Sequence, residues 1–443
     1  MLNLPKKMKS DFFDWGAFTP ESAAEDMPRI LSDAEKAVAD IESSEPGGYE
    51  SLVWRLNDAM RPLRRFWGAV SHMLSVMNSD AWRALEDEWQ PKVIAFSLRV
   101  GQSRRLYDIA KSLLSAPEGG LDAVRRRVLE KMVQSAEHAG VGLDGAKKVR
   151  FNEIQERLAR LGADFHNAVI DATKAFSFEK DGKKYTIDDA SYPQTMKHCA
   201  DREVRERLCV ARATRAPENS ARIDEMLRLR REEAELLGFG NYAEMSLSTK
   251  CAPSVDAAFG MIDDLDEATR APAKKDDEEL ADSAKGEVPT LEPWDLAFFA
   301  ERLRERKYAY SEEELKRNFE MEDVVAGLFR LSKFLFGVDV KEVVGDAKPS
   351  VWHPDVRFFE VKCDGETVAH FYFDPFVRSG QKSGGAWMNY FRVRRMTAEG
   401  VELPLALIVT NFPERDAEGK CHLPMREVET VFHEFGHALQ LML

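Results

Sequence analysis

The sequence predicts a mainly helical protein with a small β-sheet set immediately before its last helix. Three observations predict it. Apolar residues recur at three- and four-residue spacing over the first two thirds of the chain. Two β-rich runs follow, at residues 356–376 and 403–412. After Pro424 a helix begins that carries the pentapeptide "HEFGH".

The helical part shows its pattern in order. "DAEKAVADIE" (33–42) and "LVWRLNDAMRPLRRFWGAV" (52–70) each place apolar side chains on one stripe. The clearest helix is "FNEIQERLARLGADFHNAVIDATKAF", whose stripe is Phe151, Ile154, Leu158, Leu161, Phe165 and Val169. His166 lies beside that stripe and reads as a structural residue. A further helix runs through "IDEMLRLRREEAELLGF", and Gly238 ends it. Residues 271–290, "APAKKDDEELADSAKGEVPT", are polar and proline-flanked. They are expected to form a surface helix between loops, at a boundary between lobes.

The β-part begins with "VRFFEVKCDGETVAHFYFDPF", where Asp364-Gly365 is a hairpin signal. "LPLALIVTNF" is a continuous apolar run of strand length, and the glycine-rich "SGGAWMNYF" (383–391) stands between the two.

Composition narrows the function. The chain has 443 residues, room for two or three domains, with 44% hydrophobic and 32% charged residues, a globular balance. The net charge of −14 is not offset by any Lys/Arg block, which argues against a nucleic-acid partner. The local basic stretch "RLRERK" (302–307) reads as a solvated helix face. The cysteines, Cys199, Cys209, Cys251, Cys363 and Cys421, are odd in number and form no C-x-x-C pair, which fits a reducing compartment. "MLNLPKKMKSDFFDWGAF" has no signal-type apolar segment, and no apolar run reaches the ~18 residues of a membrane span. The reading is a cytoplasmic protein without a membrane partner.

The chemistry lies in the last helix. His433 and His437, four residues apart, put both imidazoles on one helix face. Two such ligands can hold one Zn²⁺. Glu434 follows the first of them, where it can take a proton from a metal-activated water and hand it to a leaving amine. Val428, Val431, Phe432, Phe435, Ala438 and Leu439 make the surroundings apolar. Gly436 weakens the helix by ~1 kcal/mol relative to Ala, which suggests close approach of another backbone or of a substrate.

"FHEFGHAL" resembles the motif of the thimet oligopeptidase family, which includes oligopeptidase A and peptidyl-dipeptidase. The likeness extends over roughly residues 145–443, through "LLGFGNYAEMSLSTK", "PWDLAFFAERLRERKYAYSEEELKRNF", "GLFRLSKFLFG", "WHPDVRFFEV", "HFYFDPFVRSGQKSGGAWMNYF" and "LPLALIVTNF". The resemblance implies a two-lobed helical zinc-peptidase fold around a channel, acting on short peptides. It implies an N-terminal helical region (1–145), a helical lobe lining the channel (146–340) and a catalytic α+β segment ending in the zinc helix (341–443). It makes His433 and His437 the ligands of one zinc per chain, and Glu434 the general base. It also places Ser383, Gly384, Gly385, Ala386 and Trp387 near the cleft, the glycines admitting a substrate backbone. Residues 409–412 are expected to be an edge strand that pairs with substrate. Asn411 and Asp374 are further candidates.

The resemblance also implies a third zinc ligand, a Glu beyond the motif, which this sequence does not contain in the expected position. The last helix ends "LQLML", without a stop signal, and is expected to expose Leu441, Met442 and Leu443. The reading is therefore an incomplete oligopeptidase, weakly active or inactive alone. Its expected partners are short peptides and either a separate C-terminal polypeptide or a second copy joined through that helix end. The alternative is a non-catalytic peptide-binding or assembly remnant.

Overall fold

A computed structural model describes residues 12–45, 47–115, 121–189, 191–397 and 400–443. The reading of the chain start as free of a signal segment falls largely on residues 1–11, outside the described residues. The helices are α1 (Pro20–Ser43), α2 (Arg55–Val76), α3 (Asp80–Gly101), α4 (Arg104–Leu114), α5 (Ala123–His138), α6 (Gly145–Ala175), α7 (Ser191–His198), α8 (Arg202–Ala213), α9 (Asn219–Leu236), α10 (Tyr242–Leu247), α11 (Val255–Ser283), α12 (Pro293–Tyr308), α13 (Glu312–Lys316), α14 (Met321–Phe336) and α15 (Met425–Met442). A hairpin of β1 (Ser177–Lys180) and β2 (Lys183–Thr186) follows α6. The main sheet contains β3 (Val338–Glu342), β4 (Arg357–Cys363), β5 (Glu366–Phe376), β6 (Trp387–Arg392) and β9 (Leu405–Phe412); β7 (Arg395–Thr397) and β8 (Gly400–Glu402) form a ribbon beside it. The protein is mainly α, as its sequence predicts.

Local chemistry sets the helix ends. Thr19 and Ser22 bond each other's backbone N–H groups in a capping box, and Pro20 opens α1. The helix therefore starts thirteen residues before the periodic stretch that announces it at residue 33. At the end of α9, Gly238 takes φ +86°. Phe239 N–H reaches Ala234 O and Gly238 N–H reaches Glu235 O, a double bond pattern that satisfies the last carbonyls.

Residues 271–290 depart from expectation. One helix, α11, runs through Pro272 to Ser283. The Ser254 hydroxyl caps its start, and i,i+4 ion pairs flank the proline, Asp266 with Arg270 and Lys274 with Glu278. No residue of α11 is buried, so core packing does not limit its length. The "RLRERK" stretch on α12 is tied into the chain, with Arg302 on Glu287 and Lys307 on Glu279.

The sheet order is β3-β4-β5-β9-β6, with β5 and β9 parallel and the other pairs antiparallel. Asp364 and Gly365 turn β4 into β5 with φ of +50° and +84°, the left-handed pair that a tight hairpin requires. The sheet is covered on both faces, which is why its strands read as unbroken apolar runs. Phe358, Tyr372, Leu405, Leu407 and Val409 share a core with α1, α2, α3 and α4. Their neighbours Phe359, Phe371, Phe373, Ala406 and Ile408 point the other way, toward α14 and α15. On that second face Phe359 and Phe371 stack at 4.7 Å between centroids, and Phe435 of α15 meets the Phe371 edge at 5.6 Å.

Two expectations need correction here. Residues 409–412 are not an edge strand: β9 lies between β5 and β6, and β6 is the edge. Met442 is not exposed. It is fully buried in line with Val428, Val431, Phe435 and Ala438, because the i+7 spacing from Phe435 keeps it on the sheet-facing stripe. Leu441 is half-buried, and Leu443 alone of the three is exposed.

Phe435 joins α14, the sheet and α15. Phe435→Ala is expected to cost about 3–5 kcal/mol through the cavity it leaves. Chemical denaturation checks this; an unchanged midpoint would deny that the motif helix is anchored through this ring.

Candidate metal centre and the glycine loop

The stripe that buries α15 against β9, β6 and β5 turns the opposite side of the helix outward. His433 and His437 stand on that outward side and are exposed. Their Nε2 atoms are 3.1 Å apart and the ring planes cross at 82°. Two nitrogens each ~2.0–2.1 Å from one tetrahedral metal stand roughly 3.3–3.4 Å apart. The imidazoles therefore already converge to nearly the bite of a shared ion. Glu434 lies about 100° round the helix from His433, between the outward side and the sheet, and is 7% exposed. Val428, Val431, Phe435 and Ala438 line the buried side as expected, whereas Phe432 is exposed.

The donor set fits zinc as two ligands. Among the described residues no group of three or more His, Cys, Asp or Glu gathers to hold an ion. A catalytic zinc takes three protein ligands, so this pair is an incomplete set by itself. Around Gly436, an added Cβ would meet nothing within 4 Å, so the close approach expected there is not made by any described residue.

The 383–386 loop joins β5 to β6 and is held from several sides. The Asn411 amide nitrogen donates to Ser383 O (2.8 Å) and Gly385 O (2.6 Å). Its Oδ1 is buried and finds no hydrogen-bond partner among the described residues. Ser383 N–H donates to Ser75 O (2.8 Å), and the Ser383 hydroxyl faces His166 Nε2 (3.0 Å). Gly385 takes φ +86°, a conformation that favours glycine. Gly384 is needed for another reason: an added Cβ would fall 2.0 Å from Asp189 Oδ2, and Arg212 holds that carboxylate at 2.5 Å. The neighbour that crowds Gly384 is thus Asp189. Ala386 and Trp387 follow, both half-buried, and β6 starts at Trp387.

Below the loop is a cluster that sequence reasoning missed apart from Asp374. Asp374, fully buried at the end of β5, accepts from Arg378 Nη1 (2.9 Å) and Nη2 (2.6 Å), Lys382 Nζ (2.9 Å) and Trp352 Nε1 (2.8 Å). Lys382 also donates to Phe376 O, and Arg378 to Val76 O at the end of α2. Burial works to raise the Asp374 carboxyl; the Arg378 hydrogen bonds and both cationic charges outweigh it and bring it down to about 2. Burial, with Arg378 beside it, lowers Lys382 to about 8 despite Asp374. The group stays ionised at neutral pH. His72 packs edge-on against Trp352 at 4.3 Å, and burial lowers it to about 3. The stretch "DPFVRSGQK" is a strand end and a loop, where spacing carries no pairing signal, so nothing in the sequence marks Arg378 and Lys382 as partners of Asp374.

A helix backed by a mixed sheet and presenting His433, Glu434 and His437 defines a unit of the metallopeptidase class. The comparisons narrow it further. Residues 195–443 match Peptidase family M3, and residues 27–148 match the Neurolysin/Thimet oligopeptidase N-terminal domain. The chain belongs to peptidase family M3. It is 36% identical to the probable cytosolic oligopeptidase A of Arabidopsis thaliana, over 97% of this chain and 68% of that protein. It is 35% identical to the organellar oligopeptidase A of the same plant, over 97% of this chain and 60% of the relative. The oligopeptidase A of Escherichia coli (strain K12) is 32% identical over 96% of this chain and 68% of its own length. A solved structure of PZ peptidase A with an inhibitor shares the fold, with a TM-score of 0.50, 16% identity, and coverage of 96% of this chain and 64% of that one. The chain thus spans between 60% and 68% of the length of these curated relatives.

Two outcomes follow from this geometry. Gly384→Ala is expected to destabilise the fold by about 1–3 kcal/mol through overpacking, and Asp189→Ala in the same chain to recover most of the loss. A double-mutant cycle by denaturation reads this; additive losses would mean the two positions do not touch. His72 binds its proton near pH 3 in the fold and near 6.5 when unfolded, so the unfolded chain holds more protons between these values. Stability then falls as pH drops from 6.5 to 3, by up to about 1.4 kcal/mol per pH unit. His72→Phe is expected to flatten the melting-temperature curve over that window. The loss due to Asp374, which sets in below its ordinary carboxylate range, should remain.

Proposed function

We propose that this chain supplies the zinc-binding helix and cleft wall of an oligopeptidase that hydrolyses short peptides. The carrying observation is the convergence of His433 and His437, Nε2 to Nε2 at 3.1 Å, with Glu434 beside them. His433 and His437 would hold one zinc, which when bound supplies a Lewis acid able to make water nucleophilic near neutral pH. Glu434 accepts the proton of the attacking water and returns it to the leaving amine. The exposed edge of β6 offers backbone groups to an extended peptide, and Gly384, Gly385, Ala386 and Asn411 line its approach. The third ligand is supplied from outside the described residues. Among them no helix is long and apolar enough to cross a membrane. A cytoplasmic location, supported by the name of the Arabidopsis cytosolic relative, belongs to the same proposal.

The incomplete ligand set also favours a second reading, a peptide-binding protein without turnover. One set of samples separates them. Zinc titration of the unaltered protein should show binding that His433→Ala and His437→Ala each remove; two protein ligands hold the ion weakly, so retention through dialysis is expected only once a third is supplied. Glu434→Gln should keep zinc while slowing chelator-sensitive peptide cleavage by roughly 10²–10⁴-fold. Zinc binding that is undetectable by titration of the unaltered protein, or unchanged in both histidine variants, sinks the zinc reading. Zinc and peptide binding without cleavage, with no effect of Glu434→Gln, would establish the second reading.

A further inference from the structure

Away from the motif helix, α2, α3 and α6 enclose a cleft of about 270 Å³ whose lining includes Ser71, Ser75, Glu86, Gln90, Ala163 and Asn167. Its charge balance is uneven. Arg83 is the nearby cation, and its guanidinium is already engaged, with Asp171 at 2.7 and 2.8 Å and with Asn78 Oδ1 at 2.6 Å. Asn78 is engaged in turn, its amide nitrogen donating to Leu74 O and Asn167 Oδ1.

Glu86 has no such cover. Among the described residues its carboxylate receives one side-chain donor, Gln90 Nε2 at 3.3 Å. Burial raises its carboxyl above the ordinary range, and the charges of Asp87 and Asp164 add to that, with Arg83 opposing. A half-buried carboxylate in a negative field, short of donors, is complemented by a small cation that carries several N–H groups. Leu74 and Ala163 give the cleft an apolar flank on which a methylene stem can lie while its charged end reaches Glu86.

The cleft also touches the 383–386 loop. Ser75 O accepts from Ser383 N–H, and His166 of the cleft lining faces the Ser383 hydroxyl. We propose that this cleft is a binding site for the primary alkylammonium group of a peptide, either a lysine side chain or a free amino terminus, with Glu86 as its counter-ion. The proposal rests on the peptidase reading only in taking the ligand to be a peptide.

Ligand-observed NMR titration of the 443-residue chain tests it with three probes. Nα-acetyl-lysine amide carries only the side-chain ammonium, norleucine amide only the α-ammonium, and Nα-acetyl-norleucine amide neither. At least one charged probe is expected to bind tenfold or more tightly than the uncharged one, and which of the two does so identifies the source of the group. Glu86→Gln is expected to erase the difference. Ala163→Phe, which fills the cleft without altering its charges, is expected to erase it too and stands in should Glu86→Gln fail to fold. Equal binding of all three probes, or a preference that survives either variant, overturns the proposal. Zinc titration of the same samples reports on His433 and His437 independently, so failure of the cleft and failure of the zinc reading are separate results.

Discussion

The buried carboxylate of Asp374 is the interaction on which the site side of this molecule depends. A lone charge in that position would cost several kcal/mol in desolvation, so the fold has to bring cations to it. It brings two, Arg378 and Lys382, from the chain that directly follows β5. Each cation also binds backbone carbonyls, Arg378 at the end of α2 and Lys382 at the end of β5. One charge requirement thereby fastens the strand end, the connection to the glycine loop and the N-terminal helices into one block. Asn411 completes the hold from β9 by clamping the loop's carbonyls. The 383–386 loop is therefore shaped by the protein interior, even though its glycines are exposed.

Much of the fold was legible in the sequence. The stripe of α6, the glycine stop after α9, the Asp364-Gly365 turn and the helix after Pro424 are all local signals, and local physics decides them. What escaped was decided at long range. Strand order depends on which segment returns to pair with which, so the apolar run at 405–412 gave no sign that β6 would come to cover its outer side. Met442 looked like a loose end, because a terminal apolar residue carries no mark of the sheet beneath it. The length of α11 escaped because Pro272 reads as a breaker wherever capping and ion pairs on either side are not weighed against it.

The site was legible to the same depth. Histidines at i and i+4 define their own geometry on any helix, so His433 and His437 could be paired from spacing alone. The position of Glu434, one residue on and so about 100° round the helix from His433, follows from helix geometry too. The glycines of the loop could be seen but not their cause: at Gly384 the crowding neighbour is Asp189, some two hundred residues earlier in the chain. Arg378 and Lys382 could not be told from surface cations, because only the fold shows that Asp374 waits for them in the interior.

The two-sided sheet has a consequence for how the chain is made. The core under α1 to α4 is closed by Phe358, Tyr372, Leu405, Leu407 and Val409. A ribosome releases the helices roughly 300 residues before it releases the strand that completes their packing. At ~5–20 residues per second that gap lasts on the order of 15–60 s. During it that core lacks the five sheet residues that close it. The N-terminal helices therefore meet one another, α1 on α2 and α3, before the strands that complete their core exist.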